Sequence, residues 1–398
     1  MALTSARLGD LGAIVGGGTP STSVPEYWGG DVPWVTPKDL SSLRGRYVKG
    51  GERAITEDGL ASSAARIIPA GSVMLSSRAP IGLVGIAAVP LSTNQGCRSF
   101  VPGPLVDAGY VYYRFLTMSE DFIARASGST FMEIAGSALA DVSFSFPTLQ
   151  EQQAIAEVLG ALDDKIAANA ALAANALELA DKLFPSDTGA SSTRLGDVVS
   201  VVKGNSYKSA DLAQSDHALV TLKSITRDGR YAVDGLKPFT GRHTPRQVVS
   251  PGEIVVAQTD LTQAAEVVGR AVRVPASDDY TLIASLDLAI VRPTSGIDQT
   301  YLLGLLRQAR FREHCRSNTT GTTVLHLRSG AIEDFAARLA PIAVQTTYAR
   351  AALPLQQVAD SAAAENRILA ATRDALLPQL MSGKLRVRDA VPAVEEVV

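Results

Sequence analysis

The chain has 398 residues, 46% of them hydrophobic and 19% charged, which is the composition of a globular protein with about two or three domains. No run of about 18 apolar residues occurs, and "MALTSARLGD" at the start has no apolar segment of signal-peptide length, so we expect neither a membrane span nor a secretion signal. The net charge of −3 and the isoelectric point near 5.9 disfavour a protein that binds nucleic acid through its own charge alone.

The chain contains two cysteines, Cys97 and Cys315, which are too few for a disulfide framework. We expect them to be reduced thiols in a cytoplasmic protein. A disulfide between these two residues is the alternative.

The tetrapeptide "RLGD" occurs at Arg7–Asp10 and again at Arg194–Asp197. Two longer matches follow each copy in the same order and at similar distances, so the sequence predicts two related halves. The matched segments are Gly71–Pro90 with Gly252–Pro275, and Gly128–Pro147 with Gly321–Pro341, in which Ile134 and Asp141 correspond to Leu327 and Asp334.

Within each half, short apolar stretches alternate with glycine, proline and serine turns and are followed by a helix. This pattern predicts an α+β fold with a mostly β core. The helices are expected in "VDAGYVYYRFLTMSEDFIARA" and in "DQTYLLGLLRQARFREHC". We place the two globular domains at residues 1–147 and 186–340.

A long helix is predicted over residues 148–185. "PTLQEQ" matches a capping box in which Thr148 and Glu151 satisfy the first backbone groups. Apolar residues then recur at alternating four- and three-residue steps around one polar position, Asn169, as in the seam of a coiled coil. "FPSDTGASS" ends the helix as a linker. The expected helix or partner-subunit interface comprises Ile155, Leu159, Leu162 and Ile166.

A second long helix is predicted over residues 341–388. We expect Pro354 to kink or break it and Gly383 to occupy the C′ position after its last turn. Residues 389–398 are expected to form a flexible tail. The looser apolar stripe of this helix, expected to lie in the same interface, comprises Val358, Leu369, Leu376 and Leu380.

The two helices carry complementary charge. Residues 148–185 contain six acidic and two basic side chains, whereas residues 341–388 contain six basic and three acidic ones. Each helix would be about 50 Å long, which exceeds what a single small domain requires. Both observations favour an antiparallel pair that joins and separates two domains related by a pseudo-twofold repeat. The alternative is that each amphipathic helix packs on its own domain.

The sequence shows no catalytic motif. We find no Walker P-loop, no GxGxxG after a strand, no GxSxG, and no "NPPY" or "DPPY" segment of the kind an amino-methyltransferase uses. "VGGGTP" at Val15–Pro20 lacks the lysine of a phosphate loop and predicts a turn. The histidine and cysteine spacing predicts no metal site, and we expect His217, His243, His314 and His326 to be surface or hydrogen-bonded residues.

The predicted strand tips carry polar side chains in both halves, at corresponding positions but with different residues. Arginine and lysine can recognise guanine, asparagine and glutamine can recognise adenine, and serine or threonine can bind either base edges or phosphates. The alternative for each of them is a solvated loop residue. The candidate DNA-binding residues are Lys38, Arg44, Arg46, Arg78, Asn94, Gln95, Arg98, Ser129 and Thr130 in the first half, and Lys223, Arg227, Arg242, Arg246, Gln258, Thr259, Gln263, Thr322 and Thr323 in the second.

Two segments resemble the specificity subunits of Type I restriction-modification systems. They are "FPTLQEQQAIAEVLGALDDKIAAN" at Phe146–Asn169 and "AENRILAATRDALLPQLMSGKLRV" at Ala364–Val387. "LDDKI" and "LLPQLMSGKLRV" carry the resemblance most specifically, and it covers about the whole chain except "DAVPAVEEVV".

The resemblance implies two target-recognition domains that read an asymmetric, bipartite site in double-stranded DNA, with the helices setting the length of the spacer. It implies a non-catalytic chain that binds no cofactor itself. Two modification subunits would bind it and carry S-adenosylmethionine and adenine methylation. Restriction subunits, where present, would use ATP and Mg²⁺. Since residues 1–147 and 186–340 have net charges of −1 and +2, these partners would supply much of the attraction for DNA phosphates.

Three other functions stay open from the sequence. One is a methyltransferase that contains its own recognition domain, which the motif search disfavours. Another is a protein–protein scaffold with two β-rich modules on a helical spacer. The third is the recognition subunit of another DNA-modifying defence system.

Overall fold

The computed structural model describes residues 3–43, 45–128, 132–185, 191–294 and 296–398. The chain forms two compact units: unit 1 comprises Met1–Ala171 and Ala362–Val398, and unit 2 comprises Leu172–Ser361. Each unit therefore combines one globular part with a portion of each long helix. The division into five segments that we expect from the sequence stays a prediction, because these units join pieces of several segments.

The globular part of unit 1 is built on a five-stranded sheet in the order β2-β9-β6-β7-β4, beside a three-stranded sheet, β5-β3-β8, and the pair β1-β10. All four residues of β6 and of β7 are buried, which explains why both stretches are apolar without alternation. The strands are β1 Thr4–Arg7, β2 Gly12–Gly16, β3 Trp28–Val35, β4 Tyr47–Val48, β5 Arg53–Ile55, β6 Val73–Ser76, β7 Val84–Ala87, β8 Ser92–Thr93, β9 Cys97–Pro102 and β10 Ser143–Phe146.

Six short helices flank these sheets. The longest of them begins after Asp107, whose carboxylate accepts a hydrogen bond from the Tyr110 N–H, and it buries Tyr110, Tyr113 and Phe115 in the core of unit 1. The short helices are α1 Leu8–Leu11, α2 Pro37–Ser41, α3 Glu57–Ala61, α4 Ala108–Leu116, α5 Ser119–Ala124 and α6 Gly136–Ala140, and the long helix α7 spans Leu149–Lys182.

Unit 2 has two four-stranded sheets, β12-β20-β16-β18 and β14-β13-β19-β15, a three-stranded sheet, β17-β22-β21, and the pair β11-β23. The strands are β11 Ser191–Arg194, β12 Val199–Lys203, β13 His217–Val220, β14 Lys237–Pro238, β15 Val248–Val249, β16 Ile254–Ala257, β17 Thr259–Asp260, β18 Ala271–Arg273, β19 Thr281–Ala284, β20 Leu288–Pro293, β21 Thr319–Thr320, β22 Leu325–Leu327 and β23 Ala336–Leu339. The remaining helices of the chain, in both units, are α8 Gln299–Arg307, α9 Ala309–Ser317, α10 Ile342–Met381 and α11 Val387–Glu395. The 3₁₀ turns, also in both units, lie at Pro25–Tyr27, Leu195–Asp197, Ser209–Asp211, Leu222–Ser224, Val233–Gly235 and Pro245–Gln247.

The "RLGD" segment has the same role in both units. In each unit the leucine of this segment is fully buried. The first strand of the globular part, which ends at the arginine of the segment, pairs with the last strand of the same globular part. The arginine of the segment forms an ion pair with a later aspartate. The nitrogen–oxygen distance is 3.5 Å for Arg7 with Asp141 and 2.8 Å for Arg194 with Asp334. The repeated tetrapeptide therefore closes each globular part onto its own end.

A buried glutamine near the start of each long helix makes an equivalent set of hydrogen bonds. The Gln152 side chain accepts from the Asp107 N–H at 2.9 Å and donates to the carbonyl groups of Leu105 and Pro147, both at 3.0 Å. Each bond ties a different element to α7: the start of α4, the loop before it, and the end of β10.

In unit 2 the same three kinds of bond come from Gln345. It accepts from the Asp298 N–H at 3.0 Å and donates to the carbonyl groups of Gly296 and Ala340 at 3.4 and 2.8 Å. Since Asp107 and Asp298 both cap the helix that follows them, the two glutamines fix corresponding helix starts.

The capping residues of the long helices follow the sequence expectations, but α10 ends at Met381, before the predicted limit at residue 388. Thr148 and Glu151 exchange the hydrogen bonds of a capping box, and Gly383 has a φ of 70° after the last turn of α10. Of the two outcomes expected at Pro354, the break does not occur, since α10 continues through this residue, and the kink stays a prediction. Pro354 removes one backbone donor, while Ala352 and Gln356 on either side of it stay buried in unit 2.

Within unit 1, α7 and α10 run antiparallel and share the core. Asp163 pairs with Arg373 at 2.7 Å, whereas Asn169, further along α7, donates to Glu365, earlier on α10, at 2.9 Å. The predicted interface residues that join this core are Ile155, Leu159, Leu162, Leu369, Leu376 and Leu380, with Ile166 partly buried beside them. The helices thus pair with each other and also pack on the globular part, so both alternatives from the sequence describe part of unit 1.

Within unit 2, the last turns of α7 contact the first half of α10. The Tyr348 hydroxyl donates to the Ala180 carbonyl at 3.2 Å. The same end of α7 also contacts α8, since Asp181 pairs with Arg307 at 2.7 Å. Val358 is 39% exposed and lies outside the buried seam, so its expected place in a helix or partner-subunit interface stays a prediction. Its position falls on the exposed side of α10, because the neighbouring Ala359 is the buried residue of that turn.

The flexible tail expected at residues 389–398 is also corrected. Helix α11 covers Val387–Glu395, and Ala390 and Val394 are buried in the core of unit 1. The expectation failed because the burial comes from contacts with residues far away in the sequence. No helix in the described part of the chain is long and apolar enough to cross a membrane.

Both cysteines are free and fully buried, Cys97 in unit 1 and Cys315 in unit 2. Burial raises the pKa of each thiol to about 12, so both stay protonated near neutral pH.

We predict that Gln152→Ala lowers the free energy of unfolding of unit 1 by about 1–3 kcal/mol, because it removes three hydrogen bonds from buried backbone groups. Urea titration followed by tryptophan fluorescence measures this, since Trp28 and Trp34 both lie in unit 1. The exposed neighbour provides the control, Gln153→Ala, which should change the value by less than about 0.5 kcal/mol. Equal midpoints for the two variants would contradict the assigned role.

Candidate nucleic-acid interface

In unit 1, the turn after β6 is bonded to the loop that precedes α6. The Ile134 N–H donates to the Ser77 carbonyl at 3.1 Å, and Ser127 and Glu133 form an isolated β-bridge within the loop. We call Ser77–Leu83 and Ser127–Ile134 the unit 1 loop pair. Ser129 and Thr130, two of the predicted DNA-binding residues, lie outside the described residues.

The Glu133 carboxylate holds the unit 1 loop pair together. It accepts hydrogen bonds from the Ser77 hydroxyl at 3.3 Å, from Arg78 at 3.4 Å and from Arg98 at 2.9 Å. Arg98 also donates to the carbonyl groups of Gln95 and Cys97. The structure therefore brings Arg78 and Arg98 together, but their charge is partly neutralised by a carboxylate that the sequence analysis did not single out.

The other predicted residues of unit 1 have separate surroundings. Arg46 is bound to α7, because its guanidinium pairs with Asp164 at 2.7 Å and its side chain is only 11% exposed. The expectation that Arg46 contacts DNA is therefore not supported by its placement, whereas Gln95 is exposed and accepts a hydrogen bond from Thr19. Lys38 is exposed and pairs with Glu52 at 2.6 Å, Asn94 caps its own turn through the Gly96 N–H, and Arg44 lies outside the described residues.

The glycine-rich "VGGGTP" segment lies where the chain passes close to other backbone. A Cβ on Gly17 would lie 2.0 Å from the Asn94 carbonyl oxygen, and one on Gly18 would lie 2.3 Å from the Ala65 nitrogen. Gly204 occupies the equivalent place in unit 2, where a Cβ would lie 2.0 Å from the Ser285 carbonyl oxygen. These glycines thus have a structural role, although Val15 and Gly16 end β2 and the residues that follow are irregular and do not form the predicted turn.

Unit 2 contains a corresponding pair of loops. The Leu327 N–H donates to the Gln258 carbonyl at 2.7 Å, as Ile134 does to Ser77 in unit 1. The Gln263 side chain donates to the Thr322 carbonyl at 2.7 Å. We call Gln258–Val268 and Thr319–Leu327 the unit 2 loop pair. The same backbone bond thus joins the two loops in each unit, although the loops differ in length and sequence.

Asp260 organises the first loop of this pair. Its buried carboxylate accepts hydrogen bonds from the N–H groups of Thr262 at 2.9 Å, Val267 at 2.6 Å and Val268 at 3.1 Å. Burial by itself raises the pKa of Asp260, but these backbone hydrogen bonds outweigh it and lower the pKa below its ordinary value. Asp260 does not stand out in the sequence, because no local pattern indicates that its carboxylate accepts hydrogen bonds from residues seven and eight positions later.

The predicted residues of unit 2 divide into exposed and buried ones. Thr259 is 5% exposed, since it pairs with His326 between β17 and β22, so its placement does not support a base contact. Gln258 is half-buried, and its amide nitrogen has no hydrogen-bond partner among the described residues. Arg227 is exposed and pairs with Glu266 at 3.1 Å. The other exposed residues are Lys223, Arg242, Arg246, Gln263, Thr322 and Thr323.

Within the described residues, no group of three or more His, Cys, Asp and Glu side chains could hold a metal ion. His217 and His243 lie with ring centroids 5.1 Å apart, and His217 contacts Asp216 at 2.6 Å. His314 bonds the Ala331 carbonyl. His326 is exposed in β22.

The family model of the Type I restriction modification DNA specificity domain matches residues 3–178. The specificity subunit of the Type I restriction enzyme MjaIX of Methanocaldococcus jannaschii is 32% identical to this chain over 415 residues, which cover 96% of this chain and 93% of that protein. The chain belongs to the Type I restriction-modification specificity subunits. The family resemblance inferred from "LDDKI" and "LLPQLMSGKLRV" is thus confirmed.

Two further comparisons concern shorter or more distant similarity. The specificity subunit of EcoR124I/EcoR124II of Escherichia coli is 30% identical over 166 residues, or 39% of this chain and 40% of that protein. A crystal structure of the S subunit of a Type I restriction-modification system from M. genitalium has a TM-score of 0.60, covers 96% of each chain and is 16% identical. At this identity the structural match shows that the two specificity subunits share a fold.

We predict that Asp260→Asn loosens the unit 2 loop pair, because a neutral amide accepts these backbone hydrogen bonds less strongly than a carboxylate. Hydrogen exchange of the Val267 and Val268 amides should accelerate about tenfold or more at pH 7, which corresponds to about 1.4 kcal/mol. In the wild-type protein the stabilisation is fully present above about pH 4, the ordinary aspartate pKa, and is lost as the pH falls towards the lower pKa of the folded state.

The matched control is the exposed Asp279, changed to asparagine in Asp279→Asn. It should leave the exchange of both valine amides unchanged. If Asp260→Asn exchanged at the wild-type rate, the loop would not depend on this carboxylate.

Proposed function

We propose that this chain is the DNA-recognition subunit of a Type I restriction-modification complex and reads an asymmetric, bipartite site in double-stranded DNA. The observation that carries the proposal is the pair of corresponding loop pairs. The bond from Ile134 to Ser77 in unit 1 has its counterpart in the bond from Leu327 to Gln258 in unit 2, while the exposed side chains differ. Because different side chains stand at equivalent backbone positions, we expect the two units to recognise two different half-sites.

The finer architecture is part of the same proposal. The globular parts of units 1 and 2 are two target-recognition domains derived from one plan, and the long helices join them and set the distance between the half-sites. Two sets of contacts support the common plan: the "RLGD" ion pairs with Asp141 and Asp334, and the hydrogen bonds of Gln152 and Gln345. The antiparallel pairing of α7 with α10 in unit 1 supports the role of the helices.

We also propose that catalysis belongs to partner subunits. Two modification subunits would carry S-adenosylmethionine and methylate adenine, and restriction subunits, where present, would use ATP and Mg²⁺. The long helices leave several apolar side chains exposed, on which such partners could dock. These exposed side chains are Leu149 and Ile368 in unit 1, and Leu172, Leu179, Leu353 and Val358 in unit 2.

The structure refines the set of proposed DNA contacts. Arg46 and Thr259 are taken out of it, because the first is bound to α7 and the second is buried in a strand pair. Arg78, Asn94, Arg98 and Gln258 are secondary candidates, since each is half-buried. The primary candidates are exposed: Lys38 and Gln95 in unit 1, and Lys223, Arg227, Arg242, Arg246, Gln263, Thr322 and Thr323 in unit 2.

The deciding experiment expresses this chain with modification subunits of a Type I system from the same genome and sequences the methylated bases of the host DNA. The expected result is methyladenine within one asymmetric sequence made of two defined half-sites and an undefined spacer. Replacing residues 1–147 with the equivalent domain of another specificity subunit should change one half-site only. Methylation without a defined sequence, or a change in both half-sites, would overturn the proposal.

We predict that a heptad inserted into both long helices lengthens the spacer and leaves both half-sites unchanged. The insertions follow Ala171 in α7 and Ser361 in α10, which are the limits of the two units, so the contacts within each unit are kept. Seven helical residues add about 10 Å, or about three base pairs of DNA. Methylome sequencing gives the spacer directly, and a half-site change with the original spacer would contradict the role of the helices.

A further inference from the structure

Five arginines converge beside the unit 2 loop pair, where helix α9 and the segment Thr226–Arg230 pack against the loop that Asp260 organises. Arg227 and Arg230 lie in a polar stretch that the sequence already indicates, whereas Arg270, Arg312 and Arg316 do not stand out in the sequence. They come from three separate segments, so their proximity is visible only in the folded chain. The cluster consists of Arg227, Arg230, Arg270, Arg312 and Arg316.

Three of these arginines donate to successive carbonyl groups of one loop. Arg316 donates to Ala264 at 3.0 Å, Arg312 to Ala265 at 3.3 Å and to Glu266 at 2.7 Å, and Arg270 to Glu266 at 3.0 Å. Arg312 and Arg316 are four residues apart on α9 and thus lie on the same face of the helix. The loop backbone therefore fixes the three guanidinium groups close to one another.

The cluster contains more positively charged guanidinium groups than negatively charged carboxylates. Glu266 pairs with Arg227 at 3.1 Å and Asp228 with Arg230 at 2.7 Å, while Asp260 is occupied by backbone N–H groups. Burial lowers the pKa of Arg270, and the neighbouring charge of Arg312 lowers it further.

The pKa of Arg312 is lowered in the same way, by burial and then by Arg316. Mutual repulsion of this kind is relieved when an anion binds, and the exposed guanidinium of Arg316 makes the cluster accessible to one.

We propose that this arginine cluster binds the phosphate backbone of double-stranded DNA next to the half-site that the unit 2 loop pair reads. Guanidinium groups bind phosphate oxygens in a bidentate manner, and phosphate contacts position a protein without reading sequence. Helix α9 leads directly into β21 of the unit 2 loop pair, so a phosphate on the cluster would lie close to the bases in question. The inference rests on the proposed function, since it names the DNA group that this surface takes.

Unit 1 has no equivalent cluster in the part that the structure describes. The corresponding helix, α5, carries Glu120 and Asp121 in its first turn, and its basic neighbour Arg125 follows at the C-cap. The two units thus differ in how they would hold the DNA backbone, and unit 2 would contribute the larger share of the salt-sensitive affinity.

The experiment uses the complex of this chain with its modification subunits and measures DNA affinity across a series of salt concentrations. One DNA probe is a duplex that contains the recognition sequence identified by methylome sequencing. The other is a duplex that lacks this sequence. The test variants are Arg316→Gln, which removes the exposed charge, and Arg316→Lys, which keeps it. The matched control is Arg125→Gln, which removes one exposed arginine at the end of the equivalent helix of unit 1.

For Arg316→Gln we expect weaker binding of both duplexes by the same factor, and a slope of log affinity against log salt that is smaller by about 0.9. Arg316→Lys and Arg125→Gln should retain the wild-type slope. An unchanged slope in Arg316→Gln overturns the proposal. So does selective loss of binding to the specific duplex, since that result assigns base readout to the cluster. If the wild-type complex itself does not distinguish the two duplexes, the proposed function fails instead.

Discussion

The fold of each unit depends on a buried glutamine that accepts one backbone hydrogen bond and donates two. A side-chain amide can accept at its oxygen and donate twice from its nitrogen, and Gln152 and Gln345 use this property at the junction of three elements. Without such a group, the strand that ends the globular part, the capped helix and the long helix would each bring an unpaired polar group into the core. The direction in which each long helix leaves its globular part is fixed at this point.

Polar residues of the helix pair in unit 1 also have defined partners. In "LDDKI", Leu162 lies in the core of unit 1, and each of the three charged residues has a different partner: Asp163 pairs with Arg373, Asp164 with Arg46 and Lys165 with Glu365. Asn169 adds a hydrogen bond to Glu365. Polar contacts at defined positions of a helix seam select one register, because a shift along the helix would leave buried groups without partners. The motif that reveals the family thus also determines how the two helices align.

The sequence predicted the repeating elements well, because they depend on local patterns. The seam of α7, its capping box and Gly383 follow from residue spacing and from the backbone preferences of single residues. Helix α11 did not follow, since it is short and becomes stable only through contacts of Ala390 and Val394 with a core formed elsewhere in the chain.

The loops show a related division. Their polar character was predictable, but the arrangement of their side chains was not. Arg98 depends on Glu133 and Arg46 on Asp164, and neither carboxylate is near its arginine in the sequence. The arginines of α9 were missed because, in the sequence, they have the spacing of an ordinary amphipathic helix. Their shared environment arises from the carbonyl groups of a loop about 50 residues earlier.

The composition of unit 1 from both ends of the chain has a consequence for biosynthesis. Unit 2 is one continuous segment, so all of its residues are synthesised before the second segment of unit 1. Unit 1 begins before unit 2 and is completed after it, because Leu369, Leu380 and Val394 of its core follow unit 2 in the chain. Until they are made, the apolar face of Ile155 and Leu159 is without its native cover. A stop codon placed after unit 2 would therefore damage the unit whose synthesis began first.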